Sequence, residues 1–308
     1  MSTTEIERKR ASNLWESLGR KFPAIAKSAH LEPLPTRDLD GIGGLALPKD
    51  EILTHACAAT DPEVYERWGT VLPAALLLIG PEASGKTLLA QALAVRTGTP
   101  FLRIEVPDLV HQLVHASGNV HDMLQAFVTT LSEMPRLTIL FREIDLTNLR
   151  DAIALRPGLA IGPVMDFVID LLDRTISVPT PLVVGSTSHA DELARNFLEP
   201  GRFERVVEVN PLRPDDVVEA LELHARDAEK RAGRTLFAEI EWGEAVRSTP
   251  EASIGAWVGL LRAVLRRKAR CEVGHEDPGL VTAADLVEEI ERFNRARSRL
   301  PRGSGRYL

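Results

Sequence analysis

Cysteine is scarce in this chain of 308 residues: Cys57 and Cys271 are the whole supply. Two thiols so far apart make no disulfide framework and have no metal-ligand spacing, which points to a reducing cytoplasm. Long apolar runs are missing as well. The most hydrophobic stretch, Ala152 to Leu172, is interrupted by Arg156, Asp166 and Asp170, so no segment is suited to crossing a bilayer. The N-terminus carries charges but lacks the apolar core of a secretion signal. Positive charge is in deficit: 37 Lys and Arg stand against 44 Asp and Glu, a net charge of −7, which argues against a nucleic-acid scaffold. No internal repeat is visible. What is left is an ordinary globular composition, 44% apolar and 26% charged, in a chain long enough for one large domain and a smaller one.

One stretch carries chemistry. Gly80-Pro81-Glu82-Ala83-Ser84-Gly85-Lys86-Thr87 fits the pattern G-x-x-x-x-G-K-[ST]. The apolar run Ala75 to Ile79 enters it as a buried parallel strand, and Leu88 to Ala94 leaves it as a helix. Together they make an anion cradle: backbone N–H groups converge, the helix dipole adds positive potential, and Lys86 adds a full charge. Thr87 places a hydroxyl where a magnesium ion would bridge two phosphates. ATP or ADP is the expected ligand.

From about 38 to 211, apolar strand-like runs alternate with helical patterns, as in a doubly wound parallel sheet covered on both faces. Strands are expected at Ala75–Ile79, Phe101–Val106, Thr138–Phe141, Leu182–Gly185 and Val206–Val209. From about 212 to 297 helices take over. They open after Pro214-Asp215-Asp216, near Ser253, and at Thr282-Ala283-Ala284-Asp285, which has the form of a capping box. The expected fold class is α/β: a P-loop nucleotide-binding domain followed by a small all-α lid. Residues 1–37 read as a polar arm, helical around Leu14, Trp15 and Leu18, ending in a proline-bearing linker from Leu31 to Thr36. The arm either recruits a client or packs on its own domain. Residues 298–308 read as a basic tail.

The strand at Thr138–Phe141 runs into Arg142-Glu143-Ile144-Asp145, and acids at the carboxyl end of a neighbouring strand fall beside the phosphate loop in such a sheet. With these residues the chain resembles the AAA family, the ring-forming ATPases of the proteasomal ATPase, katanin and spastin type. The resemblance spans roughly residues 38–292. Gly41-Ile42-Gly43-Gly44-Leu45 is similar to the block that lies against adenine, and Val183 to Ser188 to the strand ending in a sensor Asn. Glu199-Pro200-Gly201-Arg202-Phe203-Glu204-Arg205 is similar to the block whose arginines reach the next subunit's nucleotide, and Gly255-Ala256 to the Gly-Ala of the helical lid. The resemblance implies nucleotide held by Gly80 through Leu88 with Ile42, Gly43, Gly255 and Ala256. It implies Glu143 as the base that orients water, Ser188 as sensor, Arg202 and Arg205 as boundary arginines, and Thr87 as a magnesium ligand. A ring is implied too, a hexamer or a mixed ring with a paralogue, that remodels or unfolds protein clients, with no membrane and no nucleic acid involved.

The departures from that pattern fall on chemistry. Arg142 stands where the family has the Asp that holds magnesium. A unit charge pair ~4 Å apart is worth about 4 kcal/mol at an effective dielectric near 20, so the swap is not a small one. Its guanidinium either contacts the phosphates and holds nucleotide with little metal, or swings to solvent, or pairs with Glu143 or Asp145. Ser188 replaces Asn, and Glu199 replaces the first boundary arginine, leaving Arg202 as the candidate finger. Glu82 and Ala83 replace Pro and Gly in the phosphate loop. The expectation is retained nucleotide binding with slow hydrolysis; the alternative is a pseudo-ATPase scaffold or regulatory ring subunit.

Leu109 to Gly118 is similar to the family's pore loop, with Leu113 at the aromatic position and His115 at a usual Gly. Leu113 either presses on a translocating chain or is ordinary packing. His111 and His115 have helical metal spacing but no third ligand nearby, and read as exposed loop histidines. Ser304-Gly305-Arg306-Tyr307-Leu308 resembles the tails by which proteasomal ATPases dock on a proteolytic core; the other reading is a solvated basic end.

Overall fold

Six strands of the computed structural model make one sheet: β1 (Ala29–Glu32), β2 (Ala75–Ile79), β3 (Phe101–Glu105), β4 (Thr138–Arg142), β5 (Leu182–Thr187) and β6 (Phe203–Glu208), in the order β1-β3-β4-β5-β2-β6. The structure describes residues 3–115, 120–145, 161–193, 195–247 and 252–298. All of β5 and the first four residues of β2 and β4 are buried. Burial on both faces is why these runs read as continuously apolar instead of alternating. The strands from β3 to β6 are parallel, and β1 is antiparallel to β3.

The order positions the site. The chain leaves β2, crosses to β3, and returns through β4 to β5, which is seated between β4 and β2. The carboxyl ends of three strands therefore lie side by side, with Ile79 opposite Thr187 and Arg142 opposite Ser186. In an open parallel sheet, ligands bind beyond these ends where the strand order reverses.

The chain divides into two units. The first comprises Met1–Leu39, Leu47–Pro81 and Lys86–Val209, and the second Asp40–Ala46, Glu82–Gly85 and Asn210–Leu308. In the first unit, the N-terminal segment is more than a polar arm. Thr3–Lys21 and Pro23–Ser28 are helices, and Leu18 and Ile25 are buried in one core with Leu109, Leu124 and Phe127. Trp15 meets Phe127 edge-on, ring centroids 6.5 Å apart. Residues Leu14 and Leu18 share a helix face at four-residue spacing, so one stripe goes inward while the rest stays polar. The expected linker is also partly structured, since Leu31 and Glu32 belong to β1 and pair with Leu102 and Phe101. The segment likened to a pore loop forms the helix Val106–His115. Pro107 is tolerated in its first turn, where an N–H has no helical partner anyway. The side chains of Leu113 and His115 lie outside the described residues.

The second unit is helical: Asp215–Ala232, Trp242–Arg247, Ile254–Val273 and Ala283–Arg297. Its core surrounds Trp257, with Val217, Leu221, Leu261 and Leu286. The capping box is present, Asp285 N donating to Thr282 Oγ1 at 3.4 Å and Thr282 N to Asp285 Oδ2 at 2.9 Å, a device worth about 1 kcal/mol. Ser253 caps the preceding helix, Ile254–Val273, by accepting from Ala256 N at 3.1 Å. The short helix Trp242–Arg247 was not legible in the sequence; it contributes Ala245 and Val246 to the core. Arg292 and Arg295 pair with Glu288 and Glu291 one turn back on their own helix. Tyr307 and Leu308 lie outside the described residues. Among those residues, no helix is long and apolar enough to cross a membrane.

His55 on the helix Ala46–Thr60 is only 5% exposed, and burial lowers its pKa from 6.5 to about 4. Between those values the unfolded chain takes a proton that the folded chain refuses. The stabilisation is therefore present above pH 6.5 and is lost as pH falls toward 4. Melting the wild type and His55→Gln across this range should show a steeper acid loss in the wild type, about 3 kcal/mol by the acid end. Equal slopes would contradict the assignment.

Candidate functional site

The turn after β2 is bent by its backbone. Gly80 and Gly85 have φ of 150° and 109°, and Ala83, a residue with a side chain, has φ of 54°. Left-handed geometry at a non-glycine position is costly and concentrates where function demands it. Within the second unit, Gly255 N donates to Ala83 O at 3.4 Å. A Cβ on Gly255 would come within 2.8 Å of the Ala83 methyl, so glycine is what fits there. Ser84 is buried, and its Oγ has no hydrogen-bond partner among the described residues. It is an orphaned polar atom of the kind a phosphate oxygen would satisfy. Gly43 lies on the helix Asp215–Ala232, where an added Cβ would fall 2.2 Å from Ala220 Cα. Ile42, Gly43, Gly255 and Ala256 are thus all members of the second unit, with a packing role for Gly43.

In the first unit, Lys86 opens the helix Lys86–Arg96 and is 6% exposed. Its Nζ donates to Gly80 O at 2.7 Å, to Pro81 O at 2.8 Å and to Ser188 Oγ at 3.1 Å. Ser188 Oγ in turn donates to Glu143 Oε1 at 3.1 Å, while Ser188 N donates to Glu143 Oε2 at 3.2 Å. The residue after β5 therefore joins the lysine after β2 to the carboxylate after β4. Glu143 itself has φ of 52°, another strained position at a strand end. Burial pushes its carboxyl above the ordinary carboxylate range, with Asp145 adding to the rise. Lys86, the Ser188 hydrogen bond and Arg142 hold the rise back. Behind it, fully buried Asp145 accepts from Thr187 Oγ1 at 2.9 Å, and Thr187 Oγ1 accepts from His189 N at 3.0 Å. These bonds fix the turn that presents Ser188. Thr87 and Leu88 lie in the first turn of the Lys86 helix, half-buried and exposed respectively.

Arginine side chains answer to acids. Arg142 NH1 donates to Glu105 Oε1 at 2.9 Å, and its NH2 lies 3.9 Å from Glu143 Oε1. Arg202 forms a fork with Asp173, Nε to Oδ1 at 2.6 Å and NH2 to Oδ2 at 2.8 Å, and reaches Glu199 Oε2 at 2.8 Å. Arg205 pairs with Glu51. Glu105, Asp173 and Glu51 were not legible as site residues. Each is distant in sequence from its arginine, and only strand register or tertiary packing brings them together.

The magnesium ion that the resemblance implies does not suit this donor set. Thr87 can offer a hydroxyl, but a guanidinium stands at position 142 where a carboxylate ligand is needed. Glu143, Asp145 and His189 do bring three ligand atoms within 4.8 Å of one another. Yet Arg142 lies 3.9 Å from that group, and Lys86 reaches it through Ser188.

Known proteins agree with the fold. Residues 76–211 match the family described as ATPase family associated with various cellular activities (AAA). The chain is 29% identical over 292 residues to ATP-dependent zinc metalloprotease FtsH 1 of Phytoplasma mali (strain AT), covering 91% of this chain and 44% of that protein. It is 25% identical over 267 residues to 26S proteasome regulatory subunit 6A of Saccharomyces cerevisiae, covering 85% and 59%. Similarity to the proteasome-activating nucleotidase of Methanocaldococcus jannaschii is 28% over 203 residues, covering 65% and 46%. The chain spans less than two thirds of the length of each of these relatives.

Because the Ser188 hydrogen bond lowers the Glu143 pKa, Ser188→Ala should raise it further. Carboxyl-carbon NMR titration of labelled Glu143 should find a higher midpoint in the variant. An unchanged midpoint would mean that the bridge is absent in solution.

Proposed function

Residues 76–211 are a AAA ATPase domain, and from that premise we propose that the protein binds ATP and ADP and hydrolyses ATP slowly, as a ring-forming ATPase that remodels or unfolds proteins. The observation that carries the reading is the hydrogen-bonded chain from Lys86 through Ser188 to Glu143. A lysine in this turn exchanges the carbonyls of Gly80 and Pro81 for phosphate oxygens, aided by the N–H groups of the helix start. In this reading Glu143 orients water and takes its proton. Its raised pKa brings a carboxylate base closer to neutral pH, where proton transfer is most effective.

Slow turnover is supported by what surrounds these groups. Arg202, the candidate finger toward a neighbouring subunit, is engaged by Asp173 and Glu199 of its own chain. Such a finger is worth on the order of 10³–10⁵ in rate. Ser188 is also shorter than the Asn expected of a sensor. The same pairing favours the second reading, a pseudo-ATPase scaffold or regulatory ring subunit. The hexameric or mixed ring, the protein client, a cytoplasmic location and docking of Tyr307-Leu308 on a protease core belong to the proposal. The ring is supported by the AAA domain match, and the protease-core docking by relatives named for the proteasome.

Lys86→Ala should weaken ATP binding at least tenfold by calorimetry, and unchanged affinity would remove the reading. Glu143→Gln should keep ATP binding while lowering turnover about 10²-fold or more in a steady-state assay of the assembled protein. Equal turnover would take the base role from Glu143.

A further inference from the structure

We propose that nucleotide is held here without a divalent ion, with Arg142 supplying the positive charge that a metal would otherwise bring to the polyphosphate; this rests on the nucleotide-binding reading above. Register places Arg142 at the end of β4, opposite Glu105 in β3 and Ser186 in β5. It therefore stands one residue before Glu143, which is joined through Ser188 to Lys86. The guanidinium lies 3.9 Å from Glu143 Oε1, the same oxygen that Ser188 joins to Lys86.

Its resting partner is shared. Glu105 Oε1 lies 2.9 Å from Arg142 NH1 and 3.0 Å from Arg103 Nε. One carboxylate faces two guanidiniums, so Arg142 can exchange it for phosphate while Arg103 keeps it neutralised. The Arg142 side chain is 33% exposed, which leaves room for that exchange. Phosphate oxygens suit a planar fork of N–H donors better than a single carboxylate oxygen does.

A dication entering the same place meets the opposite situation. Glu143, Asp145 and His189 offer ligand atoms that lie within 4.8 Å of one another. Glu143 is already engaged by Ser188 N and Oγ, and Asp145 by Thr187 Oγ1. A metal there competes with those donors for the carboxylate oxygens and brings two positive charges beside Arg142. The arginine's charge thus substitutes for the ion and disfavours its binding.

The test is ATP affinity of the full chain, measured by calorimetry in magnesium and in EDTA, for wild type, Arg142→Gln and Arg142→Asp. Wild-type affinity should change by less than fivefold between the two buffers. Arg142→Gln should bind at least tenfold more weakly in both. Arg142→Asp should lose at least tenfold in EDTA and regain it in magnesium. A fivefold or larger wild-type loss on chelation overturns the proposal, and so does an Arg142→Gln affinity equal to wild type in EDTA. Arg142→Gln keeps a neutral, uncrowded side chain beside Glu105 and gives a result even if Arg142→Asp does not fold. Absence of wild-type binding in both buffers is a separate outcome, which removes the nucleotide reading and this proposal together.

Discussion

Ser188 Oγ accepts a hydrogen bond from Lys86 and gives one to Glu143, and it can do both only because β5 lies between β2 and β4. That one strand position makes a continuous polar chain out of residues separated by up to 102 positions in sequence. The chain lies at buried strand ends, where polar groups without partners are expensive. Glu143 is therefore held in place by the same bonds that stabilise its charged form. Its pKa reflects two opposed effects, burial raising it while Lys86 and Ser188 resist. The buried pair Asp145 and Thr187 then locks the turn behind Ser188, so the hydroxyl is aimed before any ligand arrives.

Charge at this site is arranged in local pairs. Arg142 with Glu105, Arg202 with Asp173 and Glu199, and Arg205 with Glu51 each satisfy a cation inside its own chain. These pairs differ in strength. Arg205 is half-exposed and its pairing is worth little. Arg202 is 15% exposed and makes a two-pronged fork, a geometry that adds both strength and direction. Breaking the Arg202 fork therefore costs more than breaking the Arg205 pair. The polar chain from Lys86 to Glu143 is preformed, while Arg142, Arg202 and Arg205 are engaged by acids of their own chain.

Each unit also has a separate reason to be stable. The sheet is closed at one edge by β1, whose antiparallel pairing leaves β3 covered. Helices from the N-terminal segment supply Leu18 and Ile25 to the same core that Phe127 and Leu124 occupy. In the second unit, side-chain caps at Ser253 and Thr282 satisfy helix-end N–H groups, and Trp257 fills the centre.

The sequence by itself determined the elements and the phosphate turn. Strands buried on both faces announce themselves as apolar runs, glycines with Lys86 and Thr87 mark the anion cradle, and Thr282 with Asp285 marks a helix start. Local chemistry is enough in each case, because the residues that matter are neighbours in the chain. The antiparallel β1 and the helix Trp242–Arg247 were not legible: both are short and depend on partners far away. Partner choice was decided only by tertiary structure. Arg142 had open alternatives in the sequence, and strand register gave it Glu105; Arg202 had Glu199 three residues away, and folding added Asp173. The pairs of Arg142 with Glu105, Arg202 with Asp173 and Arg205 with Glu51 depend on which strands and helices meet, which is a property of tertiary packing and not of any local run of residues.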